Sequence, residues 1–221
     1  MPKQQYRDDG CNPEILAGAK FAGTLEIPVV ERPSKIVIPD TPVPFSQHAQ
    51  CQNQNAFLVI SEPDVNFSDI LRNPEPYCQI ANNYAGIITL EPALFTGAKL
   101  AEQIAVTQRN RTLAHCFQRH CVEVIPHLRW KDKNSYTATV LPDKIALIGL
   151  PLNSIVALET NSCLNSDMDK LRLQLGLQAV LEELQPQIIL IFGAMPDEVF
   201  SNFQHDTVFV NYNPWPPTTS L

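Results

Sequence analysis

The chain has 221 residues, 44% of them hydrophobic and 18% charged, which is the make-up of one globular domain with a sizeable core. Its formal net charge of -7 excludes a broadly basic surface that grips phosphate backbones non-specifically, although 16 Lys and Arg residues can still line a local groove. The opening stretch from Met1 to Asp9 has no apolar core, and no apolar run approaches the roughly 18–20 residues that span a bilayer, so a cytoplasmic chain without membrane contact is expected. The six cysteines form no C-x-x-C pair and read as reduced thiols that pack like small hydrophobes.

Residues 1–55 read as an extended, Pro-rich N-terminal arm packed on the domain. Pro13, Pro28, Pro33, Pro39, Pro42 and Pro44 interrupt regular structure, because proline lacks the backbone donor and disfavours helix before it. Within the arm a short helix is predicted over 13–20 and extended segments over 25–30 and 35–38. An α/β domain follows over 56–212. Continuous apolar runs predict strands at 56–60, 86–90, 122–126, 154–158, 187–192 and 207–212. Helices are predicted at 75–82, 99–120, 167–184 and 196–203. The third of these carries Met168, Leu171, Leu175, Leu181 and Leu184 at helical spacing. Strands that alternate with helices and are apolar throughout point to a mainly parallel sheet. Six such units fall short of a full barrel, which leaves an open doubly wound sheet and a partial barrel as alternatives. Segments 136–140 and 144–149 predict an inserted hairpin. The tail from 213, with Pro214, Trp215, Pro216 and Pro217, is expected to be extended.

Ligands of parallel α/β sheets bind at the carboxyl ends of the strands. That rule selects Asp64, Glu91, His127, Arg129, Trp130, Asp132, Glu159, Cys163 and Asp197 as rim residues. Glu91, Asp132 and Asp197 are the candidate acid/base or cation-binding carboxylates, with helix capping as the alternative for each. Arg129 offers a rigid fork of donors and Trp130 a flat apolar face, a pairing suited to an anionic ligand with a ring. The competing reading is a salt bridge from Arg129 to a rim acid, with Trp130 closing the mouth. In Arg109-Asn110-Arg111, two arginines two apart on a helix point to different sides, so one is expected to lock the helix to the sheet.

A His/Cys metal site is not expected in the stretch 115–121: His115 and His120 are five apart, as are Cys116 and Cys121, and neither pair aligns on one helix face. Cys163, in a loop after a strand, is a candidate ligand contact or nucleophile. There is no G-x-x-x-x-G-K-[ST], G-x-G-x-x-G or G-x-S-x-G, so nothing points to a phosphate loop or a hydrolase elbow, and no cofactor is indicated.

The stretches Gly86 to Glu91, Arg109 to Arg111, Val124 to Asp132, Ser135-Tyr136 and Leu190 to Asp197 resemble a family of bacteria, phages and plasmids, domain of unknown function 4417. The resemblance covers nearly the whole chain in order. Glu91 stands where aspartate is usual, Lys131 where glycine is usual, and Phe192 where tyrosine is usual. Residues 137–149 depart most. The resemblance implies a mobile-element setting and no particular reaction. Two functions are carried forward. One is an enzyme acting on a nucleotide, nucleic acid or other phosphorylated ligand at the rim. The other is a non-catalytic binding or regulatory module that contacts a host or phage protein.

Overall fold

The computed structural model describes residues 13–61, 69–89, 98–161 and 163–213. A small antiparallel pair, β1 (Phe21–Ala22) and β2 (Ile27–Pro28), precedes the sheet. Among the described residues seven strands then form one parallel sheet: β3 (Pro42–Pro44), β4 (Phe57–Val59), β5 (Gly86–Thr89), β6 (Val124–Leu128), β7 (Ile155–Glu159), β8 (Ile188–Phe192) and β9 (Val208–Tyr212). Their order in the sheet is their order in the chain. Between them run α1 (Glu75–Ala81), α2 (Leu100–Arg119), α3 (Lys133–Tyr136), α4 (Asp167–Leu184) and α5 (Asp197–Phe200).

That order decides between the two predicted architectures. Right-handed crossovers between successive neighbours all place their helices on the same side of the sheet. The packing agrees with this. Leu58, Ile87, Val124 and Leu113 of α2 share one core cluster, and Leu128, Val156, Leu158, Ile189, Ile191 and the buried face of α4 share another. Residues of opposite parity, Phe57, Val59, Ile88, Ile125, Ile155, Ala157, Leu190 and Phe192, form a third cluster on the other face. The sheet is a half-barrel, with helices outside and a smaller apolar lining on its concave face.

The long helices form where the sequence predicts them. In α2 no Gly or Pro interrupts 20 residues, and the Lys99 amide donates to Glu102 Oε2 at 2.6 Å. In α4 the hydroxyl of Ser166 accepts from the Asp169 amide, Asp167 and Asp169 sit in the first turn, and Gln185 ends the helix at φ 47°. Its buried residues are Leu173, Gly176, Leu177, Val180 and Leu184, and each large side chain contributes about 1.5–3 kcal/mol by leaving water. The expected stripe is thus corrected: Met168, Leu171 and Leu175 are 54%, 46% and 46% exposed.

The first sheet strand, β3, falls within residues 1–55. Pro42 and Pro44 suit it because it is an edge strand, where missing donors cost no ladder bonds and discourage further pairing. Upstream of it, the Gln118 side chain and the Glu31 backbone exchange two hydrogen bonds, at 2.7 and 3.0 Å. Ile36 packs on the concave cluster, and the Tyr212 hydroxyl donates to the Pro39 carbonyl. The predicted hairpin over 136–149 does not form. Asp132 and Ser135 close a capping box that starts α3, the following residues are bends and turns, and Ala146 N donates to Ser135 O at 2.8 Å. Strand β6 begins two residues later than predicted because Cys121 takes φ 62°, a turn conformation.

Candidate functional site

Register builds the rim. His127 pairs with Ala157, Glu159 with Phe192, and Phe192 with Tyr212. The concave face therefore carries Ile125, Ile155 and Ile188 low down and His127, Ala157, Leu190 and Val210 above them. The last tier at the carboxyl end is Arg129, Glu159, Phe192 and Tyr212. Arg129 and Glu159 meet across β6 and β7 with N···O at 3.8 Å, and their side chains are only 13% and 19% exposed. A charge-assisted bond is normally shorter, about 2.7–2.9 Å, so this pair is held by attraction rather than by a tight fork. Phe192 and Tyr212 stack with centroids 5.1 Å apart. Burial, reinforced by a nearby Asp40, pushes the Tyr212 hydroxyl up to about 12, so it stays a donor. His127 is fully buried; desolvation first, then Arg129 and Arg111, hold its imidazole well below the usual range and keep it neutral.

Behind this tier lies a polar brace. Arg111, 2% exposed, donates from Nε to Ile148 O at 3.2 Å and from Nη2 to Ala146 O at 3.0 Å. Its Nη1 reaches Asn110 Oδ1 at 2.7 Å and His127 O at 3.2 Å. Asn110 Nδ2 in turn donates to Thr89 O at 3.0 Å. One helix turn thus ties β5, β6 and the segment 146–148 together, which is the locking role expected for one of the two arginines. Between the brace, Trp130 and Ser135 is a cavity of about 10 Å3, room for about one water.

The predicted residues divide. His127 and Arg129 come together, and the anticipated salt bridge from Arg129 to a rim acid is present, with Glu159 as its partner. Trp130 donates its indole N–H to Arg172 O at 3.1 Å and lies against Gly176, so α4 engages one edge of its ring. Asp132 accepts from the Asn134 amide at 2.9 Å as the cap of α3. Asp197 is exposed in the first turn of α5. The Cys163 thiol is half-buried, 3.8 Å from Glu159 O. Glu91 and Asp64 lie outside the described residues, as does the tail beyond Asn213. Phe192 and Tyr212 escaped prediction as site residues; strand parity combined with register would have found them. Beside the tier, Thr160 Oγ1 donates to Ala194 O at 2.6 Å and Asn211 Nδ2 to Gly193 O at 2.9 Å.

A family model described as a domain of unknown function, DUF4417, matches residues 19–213. The chain belongs to the DUF4417 family. The match takes in every strand from β1 to β9, so the half-barrel and its rim both lie within the DUF4417 region. The Gene 1 protein of Mycobacterium phage L5 is 24% identical over 132 residues, covering 60% of this chain and 55% of that protein. The chain is therefore aligned with little more than half the length of this phage relative. No solved structure matches the chain. Among the described residues no helix is long and apolar enough to cross a membrane.

Proposed function

We propose that this DUF4417 protein binds a small phosphorylated ligand at the carboxyl-end mouth of the half-barrel and acts on it there. The observation that carries the reading is the charge arrangement at the end of β6. In a chain of net charge -7, Arg129 and Arg111 flank a buried, neutral His127. Arg111 is committed to carbonyl groups, which leaves Arg129 as the anion contact. Exchanging the 3.8 Å contact to Glu159 for a phosphate oxygen would release that carboxylate beside the bound ligand. Glu159 then becomes the candidate base, a role that the end of β7 makes available. Asp132, already a helix cap, and the exposed Asp197 have weaker claims to chemistry. Glu91 and Asp64 retain their candidacy from the sequence alone.

The test is native mass spectrometry of purified protein, followed by thermal shift with nucleotides, sugar phosphates, a short oligonucleotide and inorganic phosphate. At least one phosphorylated compound is expected to be retained or to raise the melting temperature through the rim, and for that compound Arg129→Ala is expected to abolish the gain while folding normally, whatever other compounds still bind elsewhere. A protein that carries nothing and responds to none of these compounds, or an Arg129→Ala variant that responds like wild type, would overturn the proposal.

A second reading, a binding module for a host or phage protein, draws on a different surface. Met168, Leu171 and Leu175 lie at i, i+3 and i+7 on the outward face of α4, each close to half exposed. If that reading holds, Leu171→Ser abolishes co-purification of a partner and leaves small-ligand binding untouched.

A further inference from the structure

Away from the rim tier the described residues line an open cleft of about 640 Å3. It lies at the carboxyl ends of β3 and β4 on the convex side, between the 3-10 helix Phe45–Gln50 and α1. Phe45, Ile60 and Ile70 are buried at its floor, while Asp69, Arg72 and Asn73 are exposed at its mouth. The volume falls within the range of about 300–1,000 Å3 that small-molecule sites occupy.

Its aromatic wall is preassembled. Phe45 lies 5.5 Å from the His48 ring and 5.7 Å from the Tyr77 ring, both tilted. His48 Nδ1 is 2.9 Å from Phe45 O, which fixes the proton on that nitrogen when the ring is neutral. The Tyr84 hydroxyl donates to His48 O at 2.7 Å and anchors the turn from outside. Three rings held before any ligand arrives lower the ordering cost of binding a flat molecule. The mouth supplies Arg72, a fixed cation with a planar fork of donors, and the amide of Asn73, which both donates and accepts.

We propose that this cavity is a second binding site that takes a nucleoside monophosphate. The base lies against Phe45, His48 and Tyr77, Asn73 meets its polar edge, and the phosphate meets Arg72. The site shares no residue with the rim tier and sits on the other face of the sheet, so it stands or falls independently of the function proposed above.

Isothermal titration of the full chain with AMP tests it, alongside adenosine, ribose 5-phosphate and inorganic phosphate. AMP is expected to bind and phosphate alone is not, with adenosine and ribose 5-phosphate each weaker by about tenfold or more because each lacks one half of the recognition. Arg72→Ala is expected to weaken AMP by about tenfold. Ser46→Trp, at an exposed position of the lining where folding is not at stake, is expected to block the cavity, and Arg129→Ala to leave AMP binding unchanged. A short oligonucleotide that binds with the same sensitivity to Arg72→Ala and Ser46→Trp would assign the base to a strand rather than to a free nucleotide. Absence of AMP binding, or AMP binding that survives both cavity variants, would overturn the proposal, and its loss with Arg129→Ala would then move the nucleotide to the rim.

Discussion

Replacing Arg111 by methionine tests the brace behind the rim. The guanidinium makes four contacts of 2.7–3.2 Å, to the carbonyls of Ile148, Ala146 and His127 and to Asn110 Oδ1, in a site only 2% exposed. A hydrogen bond to a charged donor is worth about 1.5–3 kcal/mol, so simple addition gives about 6–12 kcal/mol. That sum is too large, because methionine refills part of the volume and the neighbouring cavity can admit water to the orphaned carbonyls. Removing one partner from a buried charged network costs about 3–5 kcal/mol, and that is the expected loss here. Against a domain stability of about 5–15 kcal/mol it is a large share. Urea unfolding followed by circular dichroism, with a slope of about 1–3 kcal/mol per molar, should show the midpoint falling by about 2 M. Arg111→Lys is expected to recover less than half, since one compact ammonium cannot serve carbonyls that diverge around a planar fork. Arg32→Ala, at an exposed position, should stay within about 0.5 kcal/mol of wild type. A loss below about 1 kcal/mol for Arg111→Met would mean that 146–148 is held without the arginine, and the brace would not be what orders the rim.

Gly176→Ala should destabilise, although alanine ordinarily improves a helix interior by about 1 kcal/mol, because the new Cβ would lie 2.0 Å from Trp130 Nε1. A changed tryptophan emission should accompany the loss, and a stabilised variant with unchanged emission would contradict the packing. Gly193→Ala combines φ +118° with a Cβ at 2.4 Å from Asn161 Oδ1, so a cost of about 1–3 kcal/mol is expected. Adding Asn161→Ala should recover only part of it, since the close contact with Thr160 Oγ1 at 2.8 Å and the dihedral strain both stay; full recovery would mean that neither costs anything. The buried His127 stays neutral in the fold but titrates near 6.5 when unfolded. Below that pH the unfolded chain takes up a proton that the native state refuses, so stability falls with falling pH by up to about 1.4 kcal/mol per unit and is fully present above it. The urea midpoint should fall less between pH 7.5 and 5.0 for His127→Gln than for wild type, and equal falls would mean that His127 takes up its proton in the fold as readily as in the unfolded chain.

The elements legible in the sequence were those whose signal is local. Helix α4 shows a serine cap, two aspartates in its first turn and a left-handed stop, and its predicted bounds are those observed. Strands β4 to β9 declare themselves as largely apolar runs, interrupted by His127, Glu159 and Asn211 near their carboxyl ends. Strand β3 did not, because two prolines in three residues read as irregular chain, and only its edge position makes them acceptable. Leu171 and Leu175 stand at helical spacing yet are exposed, since spacing finds an apolar stripe without saying which side of the helix meets the sheet. At the rim the sequence identified His127, Arg129 and Glu159 through the carboxyl-end rule. It could not place Glu159 beside Arg129, because that depends on the register of β6 against β7, a property of the whole sheet.

The rim tier also constrains how any ligand can be held. The cavity beneath Trp130 admits about one water, so a ligand cannot lie inside the brace while the 131–136 segment stays in place. That segment is fastened at several points: Ser135 Oγ donates to Gln103 Oε1 at 2.7 Å, Ala146 N donates to Ser135 O at 2.8 Å, and the neighbouring Trp130 donates to Arg172 O. Lifting it together with Trp130 would break these three hydrogen bonds, each worth about 0.5–1.5 kcal/mol net. Approach from the concave side breaks none of them, because Arg129 and Glu159 already end the tier there at 13% and 19% exposure. A phosphorylated ligand should therefore bind to a Ser135→Ala variant as it does to wild type, although the variant is less stable. If Ser135→Ala instead tightened binding, the 131–136 segment would be a cover that the ligand must displace, and the binding position would move from the concave mouth to the brace.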